Sequence, residues 1–80
     1  MKKYVGEVET INHNIEYVFK DDGSVELQIG ICKETGKESR HYVSTRKAVK
    51  KTKNKDDETE YYIVSHDGKM EKKLENVREL

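Results

Sequence analysis

Residues 15–29 read IEYVFKDDGSVELQI, and in this stretch two alternating runs of apolar residues flank a turn. Ile, Val, Tyr and Phe supply most of the apolar positions, and these residue types pack well on the pleated surface of a sheet. The turn itself, residues 21–23, is Asp-Asp-Gly, which is typical of a hairpin tip. Gly23 accepts the left-handed backbone conformation that a three-residue loop requires. The stretch therefore predicts an antiparallel β-hairpin.

The register of this hairpin follows from the face on which its apolar side chains fall. A two-residue loop would place polar side chains opposite the aromatic ones, whereas a three-residue loop keeps one face apolar. The three-residue loop predicts these facing pairs: Phe19 with Val25, Tyr17 with Leu27, and Ile15 with Ile29.

Two further turns extend the predicted sheet in both directions. A two-residue turn at 12–13 pairs Val8 with Tyr17 and Gly6 with Phe19, and a three-residue loop at 34–36 pairs Leu27 with Val43 and Ile29 with His41. The apolar face then continues over four strands. It predicts nine core positions, which are Tyr4, Val8, Ile15, Tyr17, Phe19, Val25, Leu27, Ile29 and Val43.

The C-terminal half carries weaker signals. The lysine-rich segment 46–55 fits a continued strand, a short helix or a solvated loop, and we favour a strand followed by a loop. Residues 60–65 read as a fifth strand. After the Asp67-Gly68 turn, the tail from Met70 fits either a short helix or a sixth strand, and we favour the strand.

These elements predict an all-β fold in a single domain spanning residues 1–80, with a short C-terminal helix as the alternative for the tail. The expected architecture is an antiparallel meander of five to six strands. Because a flat sheet would leave its apolar face wet, the meander must curl into a small open barrel, remain a one-sided sheet packed under its tail, or dimerise.

Composition narrows the class of protein. A chain of 80 residues supports one core, and the equal totals of 16 basic and 16 acidic residues remove any argument from net charge about nucleic acid or acidic lipid. The single cysteine predicts a reducing cytoplasm. The opening residues lack the apolar stretch of a signal peptide, and no segment is apolar enough to span a bilayer. We therefore expect a cytoplasmic protein without membrane association.

No catalytic or metal-binding constellation is predicted. His13, His41 and His66 lack the short spacing that prepares a zinc site. In the predicted register, Cys32 and His41 point to opposite faces, so a thiolate pair is not expected. We find no phosphate-binding loop, nucleophile motif or cofactor fingerprint, and we expect neither a metal nor a cofactor.

Candidate binding residues cluster around the lysine-rich segment 46–55. Basic side chains there could follow a phosphate backbone, and nearby tyrosines could stack on bases or on a protein surface. The candidate residues are Arg40, Tyr42, Arg46, Lys47, Lys50, Lys51, Lys53, Lys55, Tyr61 and Tyr62.

Two functions compete on this evidence. The first is a non-catalytic binding module of the inhibitor or accessory-factor type, which contacts another protein through strand edges or a tyrosine patch. The alternative is a nucleic-acid-binding β domain that uses the basic 46–55 loop, although acidic residues follow this segment at once and lysine greatly outnumbers arginine. We expect another protein as the partner, with nucleic acid as the alternative. A homodimer could also form through an exposed edge or the apolar face.

Overall fold

Short alternating runs separated by glycine turns fold into consecutive antiparallel strands. The structure is a computed structural model that describes residues 2–42 and 47–80. Val43 and Arg46, which are named above, lie outside the described residues, and so does the side chain of Tyr42.

All regular secondary structure within the described ranges is β-strand. In chain order these strands are β1 (Lys3–Glu9), β2 (His13–Lys20), β3 (Val25–Cys32), β4 (Glu38–Tyr42), β5 (Lys47–Lys53), β6 (Thr59–Ser65), β7 (Glu71–Lys73) and β8 (Glu75–Glu79). The predicted all-β fold is confirmed, with eight strands in the described residues instead of five to six. The tail continues as strand, as favoured.

The strands form two antiparallel sheets that do not close into a barrel. The larger sheet has the order β4-β3-β2-β1-β8, and the smaller has the order β5-β6-β7. Leu74 separates β7 from β8, so the chain changes sheets at this residue. On the opposite side, the carbonyl oxygen of Gly23 accepts a hydrogen bond from the Val49 amide (2.8 Å). These two links hold the sheets against each other.

One hydrophobic cluster lies between the two sheets. Phe19 and Ile63 are completely buried at its centre, one from each sheet. The other buried members are Val8, Tyr17, Val25, Val49 and Leu74, and Tyr4 and Ile15 pack against them. Six of the nine predicted core positions are therefore confirmed, whereas Val43 is outside the described residues. Leu27 and Ile29 do not belong to this cluster.

A β-bulge explains why Leu27 and Ile29 are not in the core. Phe19 pairs with Val25, as predicted, but Val18 pairs with Leu27, so Glu26 is an extra residue on β3. The predicted pairs of Tyr17 with Leu27 and of Ile15 with Ile29 are wrong. Because side chains alternate along a strand, one inserted residue sends the rest of β3 to the opposite face.

The other two hairpins also differ in register. On β1, Val8 pairs with Ile15, two residues from the predicted partner, because residues 11–12 form the turn. A shift of two preserves the faces. The β3–β4 loop has four residues, 33–36, so Ile29 pairs with Arg40 and not with His41. The predicted pairings across that loop are wrong by one residue.

Candidate functional site

The lysine-rich segment is mostly a paired strand. Residues 47–53 form β5 and pair with β6 along their whole length, which confirms the favoured strand. The basic loop at 46–55 that the nucleic-acid alternative required is wrong for these residues. Val49 points into the core. Since side chains alternate, Lys47, Lys51 and Lys53 share the inner side with Val49, and Lys50 lies on the far side. Lys55 is in the exposed turn that follows.

Acidic partners compensate three of these lysines. Lys50 contacts Glu71 (2.6 Å), Lys51 contacts Asp21 (3.3 Å) and Lys53 contacts Asp57 (3.5 Å). All six side chains are substantially exposed, so each ion pair contributes little to stability. The pairing nevertheless reduces the positive potential that a phosphate backbone would meet.

Lys47 lies apart from these ion pairs, at one end of the core. Its ammonium group donates a hydrogen bond to Gln28 (3.1 Å) and lies 5.3 Å from the centre of the Tyr17 ring. Burial raises the pKa of Tyr17. The described partners of Lys47 are thus polar and aromatic groups of the neighbouring sheet.

The two neighbouring tyrosines point to opposite sides of β6. Tyr61 packs on Phe19, with ring centroids 5.7 Å apart, and belongs to the core margin. Tyr62 lies on the far side, where Lys50 is 5.9 Å from its ring centre and its hydroxyl donates to Glu60 (3.3 Å). The structure therefore does not bring Tyr61 and Tyr62 together as one stacking platform.

The residues around Tyr62 form a small network of charges. Lys73 contacts Glu60 at 2.9 Å, and this hydrogen bond lowers the pKa of Glu60 and raises that of Lys73. Arg40, the remaining described candidate, lies on β4, where it contacts Glu38 at 3.6 Å. Arg40 lies in the larger sheet, whereas the network around Tyr62 lies in the smaller sheet.

A surface that the sequence analysis did not identify lies on the larger sheet, on the side away from the core. We call it the outer face, and its apolar residues are Val5, Val18, Leu27, Ile29 and Ile31. Val5 pairs with Val18, and Val18 pairs with Leu27, so these three form one row across β1, β2 and β3. Ile29 and Ile31 continue along β3 at alternate positions.

The outer face is apolar but only partly covered. Four of its five apolar residues are half-buried, and Val5 in the row is 4 % exposed although it lies outside the core cluster. The sequence signal was present: Tyr17-Val18-Phe19 has three consecutive apolar residues, which is typical of a strand that packs on both faces. Arg40 pairs in register with Ile29 and therefore borders this face.

Charged residues flank the apolar row along β1 and β2. Lys3 faces Lys20 at one end, and Glu7 faces Glu16 on the other side of the row. Three of these residues contact other strands of the protein. Lys3 forms an ion pair with Glu26 (3.0 Å), Glu16 forms one with Arg78 (3.9 Å), and Glu7 accepts a hydrogen bond from the Asn76 amide (2.8 Å).

The histidines and the cysteine are not assembled into a site. Cys32 is half-buried, and a hydrogen bond with the Thr35 side chain lowers its pKa. Because of the register shift, Cys32 and His41 share a face, which corrects the prediction of opposite faces. They are four positions apart along the ladder, or roughly 13 Å. Within the described residues, no three His, Cys, Asp or Glu side chains are grouped as metal ligands.

Comparison with known proteins provides no family for this chain. No protein-family model, curated protein or solved structure matches it. In the part of the chain that the structure describes, no helix combines the length and apolar character needed to cross a membrane.

Proposed function

We propose that the protein is a non-catalytic binding module that contacts another protein through the outer face. The observation that carries this proposal is the placement of Val18, Leu27, Ile29 and Ile31 on the side of the sheet away from the core. A chain with 32 % apolar residues has few to spare from its core. Contiguous apolar surface bordered by charged residues is typical of protein-contact sites.

The nucleic-acid alternative has less support. The lysines of β5 are paired with carboxylates, and Tyr61 contributes to the core margin instead of presenting a free ring. Single-strand binders combine uncompensated positive charge with exposed aromatic platforms. We therefore propose a contact surface on the larger sheet, with Arg40 at its border. We also propose that the protein acts in the cytoplasm, where a lone cysteine stays reduced.

Affinity capture from a lysate of the source cells, with and without nuclease treatment, tests this function. The bait is compared with Leu27→Asp, which places a charge in the outer face, and with Val64→Asp. Val64 is the matched control, because it is a half-buried strand residue on the far side of the smaller sheet, next to the inward Ile63. Circular dichroism checks that both variants fold.

We expect wild type and Val64→Asp to capture the same identifiable protein, and a second copy of this chain counts as such a protein. Leu27→Asp should not capture it. Retention by Leu27→Asp would overturn the outer face as the contact surface. Capture that disappears with nuclease, and with Lys50→Gln and Lys51→Gln, would favour the nucleic-acid function instead.

A further inference from the structure

Along the β1–β2 ladder, the outer face carries pairs of like charge on either side of an apolar pair. In order, the facing residues are Lys3 with Lys20, Val5 with Val18, and Glu7 with Glu16. Like charges placed directly opposite each other destabilise a sheet. Contacts within the chain reduce this cost, because Lys3 contacts Glu26 (3.0 Å) and Glu16 contacts Arg78 (3.9 Å). Even with these two partners counted, the lysine end of the row keeps one net positive charge and the glutamate end keeps one net negative charge.

The same arrangement is complementary to a second copy of itself. In a two-fold dimer, one surface patch faces its own copy. A two-fold axis that runs across the strands, along the Val5–Val18 row, reverses strand direction in the second copy. The lysine pair of each chain then lies over the glutamate pair of the other. An axis parallel to the strands would instead place like charges together, so the charges select the first geometry.

A face-to-face contact between two of the larger sheets sets the scale of the interface. One partner contributes about 800 Å² to a standard protein interface. Two sheets packed face to face through their apolar residues, about 10 Å apart, would bury such an area.

From these observations we infer that the partner bound by the outer face is a second copy of this chain, in a two-fold dimer with antiparallel facing strands. This inference rests on the proposed function, because it identifies the protein that the same surface contacts. Val18 and Leu27 lie at the centre of the interface, and the lysine and glutamate pairs lie at its rim.

Sedimentation velocity of the full chain, from about 1 µM to about 1 mM, tests for the dimer, since interfaces of modest size dissociate in this range. Wild type and Val64→Asp should change from monomer to dimer as concentration rises. Leu27→Asp should weaken association by more than about 100-fold, because two unpaired carboxylates enter the interface centre.

A pair of charge variants tests the geometry itself. Lys20→Glu places two carboxylates against the glutamates of the second copy, and Glu16→Lys places two ammonium groups against its lysines. Each variant alone should dimerise at least about tenfold more weakly than wild type, because each change occurs twice in a symmetric dimer. Mixed together, the two variants should associate, because both contacts in the mixed dimer then join opposite charges.

Net charge is the factor that must be controlled. The formal net charge of the wild type is zero, so the two variants carry opposite net charges that would attract each other at any surface. Lys69→Glu has the same net charge as Lys20→Glu, but its substitution is in the exposed β6–β7 turn. Mixed with Glu16→Lys, it should not restore wild-type association.

The outcomes separate this inference from the proposed function. A wild type that stays monomeric at every concentration contradicts the dimer, and so does a dimer that is unaffected by Leu27→Asp or by the charge variants. If the monomer nevertheless captures a different protein through Leu27, the proposed function stands and only the identity of the partner is wrong. A monomer that captures nothing contradicts both.

Discussion

At the residue scale, Gly23 joins the two sheets and allows no side chain. Its φ is 91°, and a Cβ atom added there would lie 2.6 Å from the carbonyl oxygen of Val49. We expect Gly23→Ala to lower the free energy of unfolding by about 2 to 5 kcal/mol, from backbone strain and overpacking together. Urea unfolding followed by circular dichroism measures this loss.

Gly36 provides the matched control for Gly23. Its φ is 73°, but nothing lies within 4 Å of the position a Cβ would take. Gly36→Ala should therefore cost only the backbone strain, about 1 to 2 kcal/mol. Equal losses in the two variants would show that the contact between Gly23 and Val49 does not link the sheets.

Two turn carboxylates should make the protein sensitive to acid. Asp67 accepts hydrogen bonds from the Ser65 hydroxyl (2.6 Å) and the Lys69 amide (3.0 Å), and the first of these contributes most to lowering its pKa. A backbone hydrogen bond from Ser24 likewise lowers the pKa of Asp22. A lowered pKa in the folded state means that stability is present above the ordinary aspartate pKa of about 4.

This stability should be lost as pH falls below that value, when both carboxylates become protonated. Unfolding free energies of wild type at pH 6 and pH 3 measure the loss. Asp67→Asn removes the titrating group, so this variant should lose less stability over the same interval, whereas Asp56→Asn, in the exposed turn after β5, should behave as wild type. If Asp67→Asn shows the full loss, this carboxylate does not contribute to the pH dependence.

At the scale of elements, the β3 bulge makes neighbouring positions respond differently to one substitution. Val25 is 2 % exposed within the core, whereas Leu27 is half-buried on the outer face. Val25→Asp should abolish folding, because it buries an unpaired charge. Leu27→Asp should retain the fold and lose about 1 kcal/mol, the range of strand preferences. Circular dichroism at low concentration measures both, and unfolding of both variants would contradict the bulge.

The hairpin turns could be predicted from the sequence, because Gly23, Gly36 and Gly68 lie in turns and all three have positive φ. Registers could not be predicted. In β3, Val25, Leu27 and Ile29 are all apolar, so alternation is satisfied whether or not Glu26 is bulged. Val25 shares the core with Val49 of β5, a contact distant in sequence that the local pattern does not show.

The candidate site was predicted less well than the fold. For segment 46–55 the favoured strand was correct, and Val49 anchors it to the core, but the basic loop of the nucleic-acid alternative is a strand over residues 47–53. The carboxylates that compensate Lys50 and Lys51 are at least 20 residues away in sequence, so no local reading could find them. The outer face was missed because two of its five apolar residues, Leu27 and Ile29, were assigned to the core through the unbulged register.

At the scale of the whole molecule, two sheets share one core and leave a second apolar surface. Phe19 and Ile63 fill the space between the sheets, and Leu74 carries the chain from one sheet to the other. Among the described residues, the side chains of Leu27 and Ile29 remain half-buried on the outer face, and a molecule packed there would remove them further from water. In the inferred dimer, this molecule is a second copy of the chain.

Methyl NMR of the isoleucine side chains, recorded as concentration rises, tests for contact between two copies at the outer face. The five isoleucines sample distinct environments: Ile29 and Ile31 on the outer face, Ile15 and Ile63 towards the core, and the highly exposed Ile11 at a turn. We predict that the δ1-methyl resonances of Ile29 and Ile31 shift with concentration, while that of Ile63 does not. Resonances of Ile29 and Ile31 that stay fixed while the protein associates would contradict a dimer through the outer face. A protein that does not associate at all would contradict it as well.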